Sequence, residues 1–295
     1  MSVAGSTVPI EKHAAASGTR RRNRVGVSVV VPCFNSVATL CETAQSILVQ
    51  TLCDFEIVFV DDGSTDTTRV LIERIIGENI HMPIRLVAQA NGGPATARNR
   101  GIAAARGRYI LPLDADDLIA PTMLERCVAV LDDAKEIDIV YTDREDFGDI
   151  TGVHAAGTYA IERLKYFNQI GYCSMYRRSV WQTIGGYRSN VTGFDDWDFW
   201  LAAALCGCRA QYVPEPLFRH RRHRDSLLWQ LLPQFESLHA QIILNNRAAY
   251  AESEVMAAQR FLERGEAAPM LQSARFIFMA RYLNGYAPRP EPSCD

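Results

Sequence analysis

Residues 108–119, RYILPLDADDLI, decide how the rest of the chain is read. Residues 109–113 have strand character and run into three carboxylates in four positions, Asp114, Asp116 and Asp117. An apolar strand that ends in clustered negative charge is costly unless something positive meets it. Like charges this close repel and raise one another's pKa. A hard divalent cation with oxygen ligands resolves that conflict. On this stretch alone, a solvated acidic loop at a strand end is the plain alternative.

Working outward, short apolar runs at 27–31, 55–60 and 84–88 read as buried strands. A further strand follows at 137–142. Helices are expected between them: from Ser36, with Val37, Leu40, Ala44, Ile47 and Leu48 on one face; after a Ser64 or Asp66 cap; over 95–106, stopping at Gly107; and over 121–133. This β-α alternation with short connections predicts an α/β fold, a mostly parallel Rossmann-like sheet with helices on both faces. Ligands of such sheets sit outside the carboxyl ends of the strands. Asn35, Asp61 with Asp62, Asn91, and Asp114 with Asp116 all fall at such ends, which favours one shared site.

Beyond Asp143 the pattern loosens. Residues 143–159 read as loop or edge structure, and 178–184 as a short helix stopped by the turn glycines Gly185 and Gly186. An acidic stretch, GFDDWDFW (193–200), opens an apolar helix, and its charges suit the helix dipole. A last strand is expected at 211–213, before the basic run RHRRHR at 219–224. The chain then reads helical to about 264, breaks at Gly265 and Pro269, and resumes over 270–283. Residues 1–24 and the stretch from Pro288 read as irregular, the first ending in Arg20, Arg21, Arg22 and Arg24.

The 295 residues carry a net charge of −3, which argues against a general nucleic-acid or anionic-membrane binder. Eight cysteines without a CxxC pair read as reduced thiols of a cytosolic chain. No GxGxxG, GxxxxGK[ST] or GxSxG is present, so dinucleotide, P-loop and serine-hydrolase chemistry are set aside.

The ordered motifs VVVPCFN, VDDGSTD, NGGPATARNRGI, LDADD, GFDDWDFW and RRHRDS are similar to those of the family 2 glycosyltransferases. These are inverting, nucleotide-sugar-dependent enzymes of the GT-A fold. The resemblance covers about 27–226 and implies the following roles. Pro32, Phe34 and Asn35 line the nucleotide pocket. Asp62 accepts from a ring N–H, which favours a UDP- or dTDP-sugar. Arg98 helps to hold the nucleotide. Asp114 meets the ribose and a metal-bound water. Asp116 binds Mn²⁺ or Mg²⁺ directly. His223 completes the metal site or meets the diphosphate, with His220 as the register alternative. Asp117 is a capping or supporting acid, and Asp61 holds the turn that places Asp62. Arg221 and Arg222 are candidates to neutralise phosphate, whereas Arg219 and Arg224 read as solvated.

Inversion needs a base that takes the acceptor hydroxyl's proton from the far side of the sugar. Asp196 matches that base, with Asp195 and Asp198 as neighbouring alternatives. The family carries Glu at the position of Asp195, so the acceptor contact of Asp195 stays open. Trp197 and Trp200 read first as core, and Trp197 is kept as a candidate acceptor contact.

The resemblance implies a GT-A domain over 25–228, divided into a nucleotide-binding half (25–117) and an acceptor half (118–228). A helical extension follows at 229–295. The expected partners are a nucleotide-sugar donor and a glycan or lipid-linked acceptor. The expected place is the cytoplasm, with peripheral contact at the inner face of the membrane or a homodimer through the C-terminal helices. A non-catalytic nucleotide-sugar or glycan-binding subunit is the competing reading. A sugar nucleotidylyltransferase is disfavoured, because the first strand has no Gly-rich basic loop after it.

Overall fold

The computed structural model describes residues 25–223 and 226–282. The expected tail at 1–24, Arg224 and the expected tail from Pro288 lie outside the described residues. The first half contains β1 (Val27–Cys33), α1 (Leu40–Leu48), β2 (Phe55–Asp61), α2 (Thr68–Glu78), β3 (Ile84–Ala88), α3 (Pro94–Ala104), β4 (Tyr109–Pro112), β5 (Leu118–Ile119) and α4 (Met123–Asp133). The second half adds β6 (Ile139–Gly148), β7 (Gly152–His154), α5 (Ile161–Leu164), β8 (Met175–Arg177), α6 (Arg178–Ile184), α7 (Asp195–Leu205) and β9 (Ala210–Arg222). Four helices follow: α8 (Leu227–Leu231), α9 (Phe235–Asn245), α10 (Glu252–Arg264) and α11 (Pro269–Tyr282).

The strands form one sheet in the order β3-β2-β1-β4-β8-β6-β9-β5, with β7 added on β6. The ladders make β1, β2, β3, β4, β6 and β9 run one way, and β5, β7 and β8 the other. The sheet is therefore mostly parallel, as expected, and the carboxyl ends of those six strands share one edge. β1 and β2 are buried on both faces, which is why they read as unbroken apolar runs. Alternate residues feed two cores. Val29, Val31, Ile57 and Phe59 meet α1, α2 and α4. Val30, Val58 and Val60 face α3, α7 and the C-terminal helices.

α3 lies very close to the sheet. A Cβ on Gly101 would stand 2.4 Å from Val30 Cγ1 and 2.8 Å from Val60 Cγ2, so only glycine permits this approach. Phe235, Ile242, Ile243, Val255, Leu271 and Phe278 share one core with Trp197 and Phe199, which ties α9, α10 and α11 to α7.

The structure departs from the sequence reading in several places. α1 begins at Leu40 rather than Ser36. The facing loop supplies the reason: Ser36 N–H donates to Thr68 Oγ1 at 2.7 Å and Val37 N–H to Asp66 Oδ2 at 3.4 Å. Those donors are satisfied without helix. β6 and β9 run well beyond the apolar runs that announced them, through Asp143 to Gly148 and into the basic run as far as Arg222. Cross-strand ion pairs hold the polar part together, Arg219 to Glu145 at 3.0 Å and Arg222 to Asp146 at 2.9 Å. Pro214 and Pro216 cannot donate to a ladder, and the register slips there, between Thr142 and Arg144 of β6. The helical stretch expected over 226–264 is broken twice, around Pro233 and at Asn246. The stops at Gly185 and Gly265 stand as expected, both left-handed.

Candidate active site

At the end of β1, Asn35 adopts a left-handed conformation (φ 50). Its Oδ1 accepts from Thr65 N–H at 2.8 Å and Asp66 N–H at 3.3 Å, fastening the β1 end to the β2 end. Asp61 accepts from Ser64 N–H at 3.0 Å and holds the turn beside Asp62. Asp62 itself is nearly buried. It accepts from Gln89 Nε2 at 2.7 Å, Gly92 N–H at 2.8 Å and Gly93 N–H at 2.9 Å, so it anchors the loop that opens α3. A carboxylate offers about four acceptor positions, so about one remains unused. Pro32 lies within β1 opposite Val60, and Phe34 stands 48% exposed at the strand mouth.

Asp114, Asp116 and Asp117 leave β4 in one turn and go three ways. Asp117 is buried. It accepts from Arg221 N–H at 2.6 Å and from the Tyr172 hydroxyl, which pins the turn to β9. Burial and then Asp116 hold its carboxyl well above the ordinary range. Asp116 is about a third exposed and meets His223 Nε2 at 3.2 Å, across 107 positions of sequence. Thr39 Oγ1 braces the same turn by donating to Ala115 O at 2.8 Å.

The third acid, Asp114, accepts from Arg98 at 2.7 Å, and the other terminal nitrogen of Arg98 donates to Asp195 at 2.5 Å. Arg98 is buried, and its guanidinium lies 5.3 Å from the Tyr172 ring and 5.9 Å from the Tyr187 ring. Burial works against its charge, but Asp114 and Asp195 outweigh it and raise its pKa further. The sequence reading puts Arg98 on the nucleotide. The structure gives one hydrogen bond from each terminal nitrogen to a carboxylate, so Arg98 also joins the β4 turn to α7.

α7 starts at Asp195, and its first turn carries Asp195, Asp196 and Asp198. Asp198 is buried and accepts from Arg188 at 3.1 Å and from Asn245 and Asn246 at 3.0 and 2.8 Å. It is a structural acid, which removes it as an alternative base. Asp196 accepts from Asn168 Nδ2 at 2.8 Å. Burial and then Asp195 raise its carboxyl to about 7, against the opposing pull of Arg98 and Asn168.

Trp197 is corrected. It is fully buried, donates from Nε1 to Leu164 O, and stacks on His239 at 4.9 Å between centroids. Its indole sits in the core and does not face an acceptor. Trp200 is core as well, edge-on to Tyr176. His220 turns toward Asp146 at 3.5 Å, which leaves His223 as the histidine beside Asp116. Neither expected phosphate arginine stands apart: Arg222 is buried on Asp146, and Arg221 is braced on Glu42 and the Asp116 carbonyl. Arg219 pairs with Glu145. Asn99 Oδ1 accepts from Trp181 Nε1 and Tyr187 N–H, both at 2.8 Å. A Cβ on Gly186 would stand 2.6 Å from that same oxygen, so this glycine is needed for close approach as well as for the turn.

Sequence reasoning missed Asn168 and Tyr172. Neither lies in a periodic segment or a recognised motif, and both reach the site from an irregular loop between α5 and β8. The fit to a divalent cation can be judged from the donors. Among the described residues no three His, Cys, Asp or Glu side chains converge as a cage. Asp116 and His223, 3.2 Å apart, would supply two ligands, with Asp114 in the same turn. That suits a cation that draws its other ligands from phosphate and water.

Several known proteins share this arrangement of fold and sequence. The chain is 29% identical over 190 residues to the hyaluronan synthase of Pasteurella multocida, covering 63% of this chain and 19% of that one. It therefore spans about a fifth of the length of that relative. It is 34% identical over 178 residues to a PGL/p-HBAD biosynthesis glycosyltransferase of Mycobacterium bovis, covering 58% of this chain and 67% of that one. The fold is similar to S. aureus TarS 1–349 in complex with UDP-GlcNAc, with a TM-score of 0.65, 21% identity and coverage of 88% and 75%. It is also similar to the Pyrobaculum calidifontis mannosyltransferase PcManGT in complex with GDP-Man and Mn²⁺, with a TM-score of 0.62, 21% identity and coverage of 90% and 78%. The profile of glycosyl transferase family 2 matches residues 28–185, more than half of the chain, and the chain belongs to that family.

Proposed function

We propose that the protein is an inverting glycosyltransferase. It moves a sugar from a UDP- or dTDP-sugar to a hydroxyl of a glycan or lipid-linked acceptor by a metal-assisted single displacement. One observation carries the reading: Arg98 brings the strand-end acids and the helix-start acids onto one buried guanidinium. A donor-side charge centre and a separate base are what a single inverting displacement needs.

On this reading Asp116 and His223 hold Mn²⁺ or Mg²⁺, with Asp114 nearby, and the cation stabilises charge on the departing diphosphate. Pro32, Phe34, Asn35 and Asp62 form the nucleotide side. Asp196 takes the acceptor proton, and a carboxyl raised to about 7 suits that task near neutral pH. Asp195 holds Arg98 in place behind the base. The uracil or thymine preference rests on the remaining acceptor position of Asp62, and the GDP-Man neighbour makes guanine the competitor to test.

The similarity to a hyaluronan synthase and to a PGL/p-HBAD biosynthesis glycosyltransferase supports a place in cell-envelope or polysaccharide synthesis. Among the described residues no helix is long and apolar enough to cross a membrane. A cytoplasmic enzyme with peripheral membrane contact or self-association through the C-terminal helices is the reading we carry forward. Phe276 and Ile277 of α11, 75% and 41% exposed, are the apolar side chains on which such contact would fall.

The test is nucleotide release with Mn²⁺ across UDP-, dTDP- and GDP-sugars. Wild type should turn over a uracil or thymine donor, and Asp116→Asn and Asp196→Asn should each lose about a thousandfold in rate. Full activity in both variants would overturn the assigned roles. Tight donor binding with no turnover on a broad acceptor panel would favour a non-catalytic binding subunit.

A further inference from the structure

Residues 168–172 reach both acid clusters. At one end Asn168 Nδ2 donates to Asp196 Oδ2 at 2.8 Å, while Asn168 Oδ1 accepts from Ile170 N–H at 3.3 Å. The amide is thereby oriented with its donor toward the carboxylate. At the other end the Tyr172 hydroxyl donates to Asp117 and accepts from Asp114 N–H at 3.1 Å. The Tyr172 ring lies under the Arg98 guanidinium and edge-on to Phe218 of β9 at 5.2 Å. Between these ends Ile170 is buried in the core that contains Trp197, and just past them Cys173 is buried in the core under β4. Ser174 closes the turn by donating from Oγ to Gly171 O at 2.6 Å. A loop anchored in two cores can hold polar side chains with the precision of a regular element.

We propose that Asn168 and Tyr172 are positioning residues, and that this one loop sets the base and the metal turn relative to each other. The inference rests on the glycosyltransferase reading for what the two clusters do. Asn168, with the Trp197 backbone N–H, orients the Asp196 carboxylate toward the acceptor hydroxyl. Tyr172 fixes the backbone at Asp114 and the carboxylate of Asp117, so that Asp116 projects toward His223.

The charged groups around Asp196 are Asp195 on its own helix and Arg98 on α3, and the Trp197 backbone N–H and Asn168 supply neutral donors. Removing that donor weakens the ionised form of Asp196, so the acid limb of the pH–rate profile moves to higher pH. Asn168→Ala should move it by about one pH unit, the worth of one hydrogen bond to a charged group. Asn168→Asp, close in size, adds a like charge and should move it further. Donor affinity should stay unchanged in both. Tyr172→Phe should give the opposite split. Its Mn²⁺ affinity in the presence of UDP, read by electron paramagnetic resonance, should fall by about tenfold. Its acid limb should stay where it is.

A ¹³C titration of the Asp196 carboxyl, assigned with Asp196→Asn, reads the Asn168 effect without any turnover. It separates the two ideas: an inactive wild type sinks the glycosyltransferase reading, while the titration still tests the loop. Asn168→Ala and Asn168→Asp titrating with wild type would overturn the inference. So would Tyr172→Phe binding Mn²⁺ as tightly as wild type.

Discussion

Two acid clusters, Asp114-Ala115-Asp116-Asp117 and Asp195-Asp196-Trp197-Asp198, read as reversed copies of one another, and the fold divides both in the same way. Each has a structural acid: Asp117 on Arg221 N–H and Tyr172, and Asp198 on Arg188, Asn245 and Asn246. Each has an acid on Arg98, namely Asp114 and Asp195. Each leaves one acid for chemistry, and there they differ. Asp116 sits at a strand end, open to solvent, beside a histidine. Asp196 sits at a helix start against a neighbouring carboxylate, with its carboxyl raised to about 7. On the proposed reading, the same composition serves as a cation ligand in one environment and a base in the other, because exposure and partners differ.

Arg98 is the element the two halves share, so its loss should have the largest effect. Arg98→Met leaves Asp114 and Asp195 without their cation. Breaking a buried ion pair by removing one partner costs about 3–5 kcal/mol. Urea denaturation should show that loss, together with lost turnover in whatever protein remains folded. A stable, active Arg98→Met would break the comparison at its centre.

Asp198→Ala comes next. It strands the donors of Asn245 and Asn246 in the core joining α7 to α9, at about 2–3 kcal/mol. On the proposed reading Asp198 takes no part in proton transfer, so the acid limb of activity should not move. A moved limb would return Asp198 to the list of candidate bases.

Asp196→Asn should show an effect of opposite sign, confined to higher pH. The Asp196 carboxyl is raised from 3.8 to about 7 in the folded state. The unfolded chain therefore releases this proton first, and stability falls as pH rises from about 4 to about 7. Asparagine carries no such burden. The variant should match wild type near pH 4 and exceed it at pH 8, read as a difference in melting curves. An equal offset at both pH values would show that Asp196 titrates normally.

The parallel half of the fold was legible because its signals are local. Apolar runs of strand length at 27–31, 55–60 and 84–88 sit between amphipathic helices, and the polar residues at their ends share one edge by topology. The carboxylates of the site were legible by motif. What sequence could not show depends on partners far apart in the chain. The polar part of β9 is a strand because Asp146 and Glu145 face its arginines. That Arg98 also bridges to Asp195, 97 positions away, is written in no local pattern. Trp197 looks available beside two acids until His239 and Leu164 enclose it. Asn168 carries no pattern at all, since a lone Asn in a loop resembles every other.

The smallest expected effect belongs to Asp195→Glu, which restores the residue that the family resemblance implies. Here the shorter Asp195 meets Arg98 at 2.5 Å within a buried setting. One added methylene must be absorbed by Arg98 and Tyr187 or by a shift of the α7 start. That small overpacking should cost about 1 kcal/mol. If Asp195 acts only through Arg98, turnover should stay within about threefold of wild type and the acceptor KM should hold. A glutamate that changes acceptor KM with little change in stability would mean that the carboxylate at this position reaches the acceptor. The two clusters would then differ in a second respect: the Arg98-bound acid of the strand end would face the donor, and that of the helix start would face the acceptor. The ratio of kcat to KM effects in this one variant decides between those two assignments.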